Sequence, residues 1–253
     1  MRKLAAKKTF FTSRKFLRKI QILLKFTSGL LIIFCLVTLL LYVFKADFFK
    51  VRWLECQSND GQMCQEKETV FLNDLKERNL FLINSKKEGQ RFKKELLWIK
   101  EIDIKKRLPD KLLIIISRRQ PTVIFTKDEK VWYISDEEGF IFSKTTKKIN
   151  DLLTVFLPRD FPIDLGVEID FRLKFVVDLA KILKKEFIFI DKAYFDFPTL
   201  TLFLDSSRIA SLSAQKPADL QVGSLQFILR QSKIEGKLPG LIDLRFSKPV
   251  IKY

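Results

Sequence analysis

The sequence contains no histidine, and this one absence removes Ser-His-Asp triads, histidine-assisted cysteine nucleophiles and zinc sites with imidazole ligands. Eight glycines in 253 residues form no loop of the kind that cradles phosphate. Carboxylates are present, but they are scattered among lysines in the manner of solvated faces rather than gathered as acid-base pairs. The chain is therefore read as a non-enzyme that takes no cofactor, no metal and no small-molecule substrate.

What is present begins with an apolar run. Residues 27–44, TSGLLIIFCLVTLLLYVF, carry no charge, and as a helix they would span roughly 27 Å, close to the hydrocarbon thickness of a bilayer. The 26 residues ahead of them hold nine lysines and arginines and no acid, which by the positive-inside rule keeps that tail in the cytoplasm. A cleaved signal peptide would need an A-x-A-like pair of small residues where the run ends, and Tyr42, Val43, Phe44, Lys45 and Ala46 offer no such pair at the usual spacing. A buried core helix would not need nine cations in front of it. The expectation is a single-pass plasma-membrane protein with a cytoplasmic tail at 1–26, a span at 27–44, and all that follows outside.

The net charge of +17 shrinks once the tail is set apart: nine of those positives belong to it, leaving +8 on more than two hundred residues. Such a surplus suits anionic headgroups or wall polymers, and no nucleic acid is expected outside the membrane. Cys35 falls inside the apolar run, while Cys56 and Cys64 lie beyond it and flank the polar stretch QSNDGQM. A disulfide there would close a loop in a compartment where such bonds persist; the alternative is two unpaired thiols.

Alternating residues predict a strand over 48–56, and Thr69 is placed to cap a helix bearing Phe71, Leu72 and Leu75. A second helix over 85–97 sets Phe92 and Leu96 on one side. A hairpin follows, 99–106 and 112–117, turning at Pro109 and Asp110. The order is strand, helix, helix, strand, strand. Beyond Pro121 the pattern predicts short strands at 122–125, 131–134, 140–142 and 152–157, then a helix over 168–185 with Phe171, Phe175 and Leu179 inward. Strands at 187–197, 199–204 and 208–212 come next. Pro217 opens a last helix with Val222, Leu225, Ile228 and Leu229 inward.

With the hairpin's KRLPDKL at 106–112, NLF at 79–81, RQP at 119–121, WYISDEEG at 132–139 and IDLRF at 242–246, the chain resembles the bacterial cell-division family FtsQ/DivIB. It departs from the family pattern at Arg78, where glycine is usual, and at Arg118-Arg119, where Glu-Arg is usual. The resemblance implies an α+β protein: one transmembrane helix, a β-α-α-β-β POTRA domain over 46–120, and a C-terminal mixed domain over 121–253 with an extended sheet and two helices. It also implies a non-enzymatic scaffold at the division septum that binds FtsB/DivIC and FtsL.

The last predicted strand, 241–251, alternates Ile242, Leu244 and Phe246 with polar residues and then meets Pro249, which cannot donate to a ladder. An edge strand is expected. From sequence alone it is either a protected edge, blunted by Lys248, Pro249 and Lys252, or an open one. The family resemblance favours strand addition by the partner, with Arg245, Phe246, Ser247, Lys248 and Val250 in the contact. Two other classes remain: a POTRA-bearing export or assembly factor, which would need a β-barrel or repeated POTRA units, and a membrane-anchored wall enzyme.

Overall fold

The computed structural model describes residues 23–39, 41–42, 47–147, 149 and 151–253. The predicted tail lies outside these but for its last four residues, and so do positions 40, 43 and 44 of the predicted span and residues 45 and 46 after it. Residues 23–39 are helical and, Gly29 apart, exposed. Among the described residues no helix is long and apolar enough to cross a membrane.

The described chain divides into two compact units. One takes the residues up to Arg91 together with Asp103–Ile115, and the other takes Phe92–Ile102 with Ile116–Tyr253.

In the first unit a 3-10 turn, Asp47–Phe49, leads into strand β1, Trp53–Ser58. The predicted strand over 48–56 thus starts later than its alternation suggests, because Phe49 accepts a backbone bond from Leu80 and the chain turns before it extends. Helix α1, Glu66–Asn73, is capped by Gln65 rather than Thr69; the Glu68 carboxylate reaches back to the Gln65 amide at 2.7 Å, and the Thr69 hydroxyl is spent on the Glu66 carbonyl at 2.8 Å. Helix α2, Ser85–Glu95, precedes strands β2, Ile99–Arg107, and β3, Lys111–Arg118. The three strands form a sheet in the order β1-β3-β2. Elements α2, β2 and β3 contribute residues to both units. Cys56 and Cys64 are joined in a disulfide, and the loop between them is further closed by the Ser58 amide on the Gln62 carbonyl at 2.8 Å.

Strands β4, Val123–Thr126, β5, Trp132–Ser135, β6, Ile141–Thr145, β7, Leu153–Phe156, β8, Lys192–Asp196, β9, Thr199–Phe203, β10, Ile209–Ser213, β11, Leu241–Asp243, and β12, Val250–Lys252, build the second unit. They form a nine-stranded sheet in the order β12-β11-β10-β9-β8-β7-β4-β5-β6. Alternate residues of the sheet, among them Phe125, Val155, Phe195, Leu202 and Leu212, join Leu179 and Leu183 of helix α3, Lys174–Lys185, and Val222 and Leu225 of helix α4, Ala218–Ile234, in one apolar core. Fully burying each such side chain contributes roughly 1.5–3 kcal/mol.

Two further expectations are overturned in this unit. The predicted helix over 168–185 begins as extended chain and a 3-10 turn, with α3 proper starting at Lys174; its buried side is Val176, Val177, Leu179, Ala180 and Leu183, and Phe171 is 80% exposed. Asp170 caps the turn by accepting from the Arg172 amide, so the helical register starts later than the phenylalanine spacing implies. The predicted strand over 187–197 pairs only over β8, because Phe187 takes a left-handed backbone (φ 55°) that breaks extension.

The turn in DEEG is fixed by sterics as well as by hydrogen bonds. Gly139 has φ +88°, and a Cβ there would sit 2.8 Å from the Ile169 side chain. Asp136, almost wholly buried, accepts from the Glu138 and Phe140 amides at 2.9 Å each. Arg119 pairs with its other oxygen, donates to the Leu97 carbonyl at 3.2 Å and lies 4.1 Å over the Phe140 ring. Lys100 bridges Glu137 and Glu138 at 2.9 and 3.0 Å, and the bond to Glu137 raises its pKa.

Candidate functional site: the β11–β12 hairpin

The segment expected as one strand over 241–251 is a hairpin. Residues 241–243 form β11, the chain bends through 245–248, and Val250–Lys252 return as β12. Strand β11 is interior, parallel to β10 and antiparallel to β12, with Ile242 opposite Ala210 on one side and Ile251 on the other. At this end of the sheet the edge is therefore β12, which is exposed throughout, the opposite edge being β6. Pro249 stands just ahead of it, where no ladder bond is asked of its nitrogen.

The local sequence dictates the bend. The Asp243 carboxylate accepts from the backbone amide of Arg245 at 3.0 Å and from its guanidinium twice, Nε at 3.0 Å and Nη2 at 2.7 Å. An aspartate that takes the amide two residues on substitutes for a ladder bond and turns the chain out of the sheet. From outside the hairpin, Lys216 Nζ donates to the Phe246 carbonyl at 2.6 Å and to the Leu244 carbonyl at 3.4 Å. Leu244 remains buried, its amide bonded to the Ser211 carbonyl at 2.8 Å.

The residues singled out in sequence separate into two settings. Arg245, Phe246, Ser247 and Lys248 lie exposed in the bend, and Val250 opens the edge strand. Phe246 is 57% exposed, with the Arg245 guanidinium 5.8 Å from its ring. Arg245, expected to pair with a partner, is already engaged by Asp243. Asp243 and Lys216 hold the bend in place and were not anticipated. The Asp-x-Arg spacing at 243–245 carries a signal for the first; nothing local carries one for Lys216, twenty-eight residues from Leu244.

Backbone direction follows from one bond. The Lys252 carbonyl accepts from the Gly240 amide at 2.9 Å, so the polar groups of Lys252 and, by alternation, Val250 face β11. Those of Ile251 face away from the sheet. Residues 244–253 carry Arg245, Lys248 and Lys252 and no acidic side chain, so the open margin is cationic.

The Arg245 guanidinium, first, and the Arg245 amide hold the Asp243 carboxyl below its ordinary 3.8. A depressed carboxyl pKa stabilises the folded bend above about pH 4 and ceases to do so as pH falls through the lowered value. The Arg245 amide is expected to stay protected from hydrogen exchange from neutral pH to about pH 4 and to loosen below that, and Asp243→Asn should flatten the dependence. Amide exchange followed by NMR across pH 2–7 reads it directly.

Among the described residues no group of three or more Cys, Asp or Glu is disposed to hold a metal ion. The arrangement offers a backbone edge, apolar side chains and positive charge, the elements of a docking surface.

Residues 71–119, from α1 through β3 and one residue past it, match the family model described as "POTRA domain, FtsQ-type". The chain carries an FtsQ-type POTRA domain. It is similar to the cell division protein FtsQ of Rickettsia typhi, 30% identical over 98 residues, and to that of Rickettsia bellii, 31% identical over 98 residues. Each match covers 38% of this chain and 36% of the relative, so the chain spans little more than a third of the length of the FtsQ proteins it matches. The FtsQ resemblance drawn from NLF, LPDKL and RQP holds, and the mixed α+β architecture with a large C-terminal sheet accompanies it.

Proposed function

We propose that this chain is a non-enzymatic scaffold of the cell-division machinery, tethered in the plasma membrane through 27–44 with the tail at 1–26 in the cytoplasm. A POTRA domain over 46–120 and a C-terminal domain over 121–253 stand outside and act by holding partners. The FtsQ-type POTRA match and the FtsQ relatives support the cell-division role. The observation that carries the mechanism is the exposed edge strand β12 beside a cationic, pre-shaped bend.

FtsB/DivIC, in complex with FtsL, adds a strand to β12; the added backbone bonds supply affinity and the alternating side chains supply choice. Phe246 and Val250 give the apolar contact. Arg245, neutralised in part by Asp243, and Lys248 favour an acidic partner segment. Pulling the full chain from membranes with FtsB/DivIC tests this: Arg245→Glu combined with Phe246→Ala should cut recovery of the partner at least tenfold. Undiminished recovery from the double variant would sink the assignment. An export factor or a wall enzyme finds no specific support in the fold.

A further inference from the structure

Between α1 and α2 the sequence reads Asn79-Leu80-Phe81-Leu82-Ile83, with four apolar residues in a row, and the turn they form sorts them. Leu80 and Ile83 are buried, whereas Phe81 and Leu82 are 43% and 68% exposed. Asn79 sets the outward pair: its Oδ1 accepts from the Phe81 amide at 2.9 Å and its carbonyl from the Leu82 amide at 3.0 Å. The Leu80 amide, donating to the Phe49 carbonyl at 2.8 Å, ties this turn to the 3-10 segment before β1. The Phe49 and Phe81 rings then meet edge to face at 5.0 Å, and Phe48, 61% exposed, packs on Phe49 at 5.1 Å. Three linked phenylalanines with Leu82 next to them form a continuous apolar patch, which scattered single hydrophobes would not.

We infer, resting on the reading of 27–44 as the membrane tether, that this patch lies on the lipid surface with Phe48, Phe81 and Leu82 among the headgroups. The apolar run ends at residue 44, and Phe48 follows four residues later. Four residues reach at most about 14 Å, whatever path they take. The headgroup layer itself extends roughly 5–8 Å beyond the hydrocarbon, so Phe48 stays beside the bilayer and the ring contacts keep Phe81 with it. Phenylalanine and leucine on one side with lysine nearby is the composition of surfaces that settle at the headgroup boundary. Charge agrees. Lys86 and Lys87 stand exposed in the first turn of α2 and supply positive charge for lipid phosphates. The neighbouring acids are already engaged: Asp47 by Lys50 at 2.6 Å, and Glu88 by Arg78 and Arg91 at 3.2 and 3.3 Å.

Tryptophan fluorescence of the full chain, reconstituted into vesicles of phosphatidylcholine and phosphatidylglycerol at about 3:1, tests the contact. The emission that Phe81→Trp adds to the parent's should fall at least about twofold when the lipids are brominated high on their acyl chains, because a ring at the headgroup boundary lies within reach of the quencher. Adding Phe48→Asp and Leu82→Asp should restore that emission by lifting the patch off the lipid; both replace exposed side chains, so the fold is spared. Retention of the chain through alkaline carbonate reads the tether separately. A retained chain whose added emission ignores the bromines overturns the lipid contact and leaves the tether standing. A blue-shifted emission that ignores them shows the rings covered by protein, a second copy included, and overturns the contact equally. Quenching that persists in the double-aspartate variant would assign the proximity to the tether alone and remove the patch from it. A chain stripped off by carbonate overturns the tether and the contact together.

Discussion

Replacing Arg119 with alanine is expected to destabilise the sheet-bearing unit by about 3–5 kcal/mol, the loss typical when one member of a buried ion pair is removed and the other is left without compensation. Asp136 is the member left behind. Asp136 is about 1% exposed, and among the described residues Arg119 and two backbone amides bond its carboxylate. The same side chain also donates to the Leu97 carbonyl and covers the Phe140 ring, so the truncation removes packing along with charge. At roughly 2–4 °C per kcal/mol for a unit of this size, the thermal midpoint should fall by on the order of 10 °C, readable by circular dichroism on the full chain. Arg119→Lys should recover only part of this, since an ammonium cannot serve the carboxylate, the carbonyl and the ring from one planar group. Removing both charges while keeping an acceptor for the Glu138 and Phe140 amides, Arg119→Met with Asp136→Asn, should cost less than Arg119→Ala alone. A midpoint within about 1 °C of the parent for Arg119→Ala would show that Asp136 is not held as described.

The second large effect concerns partner capture. The Ile251 amide and carbonyl face away from the sheet, so they are the groups an added strand would engage first. Proline is tolerated on an edge strand where its nitrogen faces outward, and Ile251→Pro should leave the hairpin folded. It withdraws the outward donor and leaves a carbonyl of the incoming strand unpaired. The expected loss is about 1–3 kcal/mol of binding, on the order of tenfold to a hundredfold in Kd for the partner proposed to add a strand there. Ile251→Ala, which alters the side chain and spares the backbone, should weaken binding far less. Equal losses from the two would place recognition in side chains and remove strand addition as the mechanism.

Both predictions depend on features that were legible in sequence to different degrees. The POTRA-type order could be read because its signals are local: a run of aliphatics in β3, proline and aspartate at the turn. The inward face of α4 could be read from its 3.6-residue period. Phe171 and Phe187 misled because aromatic residues signal burial only when the backbone keeps its period, and at both positions it does not: a 3-10 turn capped by Asp170 intervenes at one, a left-handed residue at the other. The edge was foreseen from Pro249 and assigned to the wrong segment. The alternation of Ile242, Leu244 and Phe246 is continuous in sequence, whereas the Asp243 side chain diverts the chain after Leu244.

By itself the sequence determined the order of helices and strands through the hairpin at 99–118, the inward face of α4, and that histidine chemistry has no place here, because all three depend on residue identity and near neighbours. It also carried, in short motifs, the FtsQ likeness. Only the tertiary structure decided that RQP and DEEG meet through Arg119 and Asp136, that Lys216 secures a bend twenty-eight residues away, and that β12 rather than β11 is the margin of the sheet. Those are matters of which strand lies beside which, and strand order is set by long-range packing that no local pattern encodes.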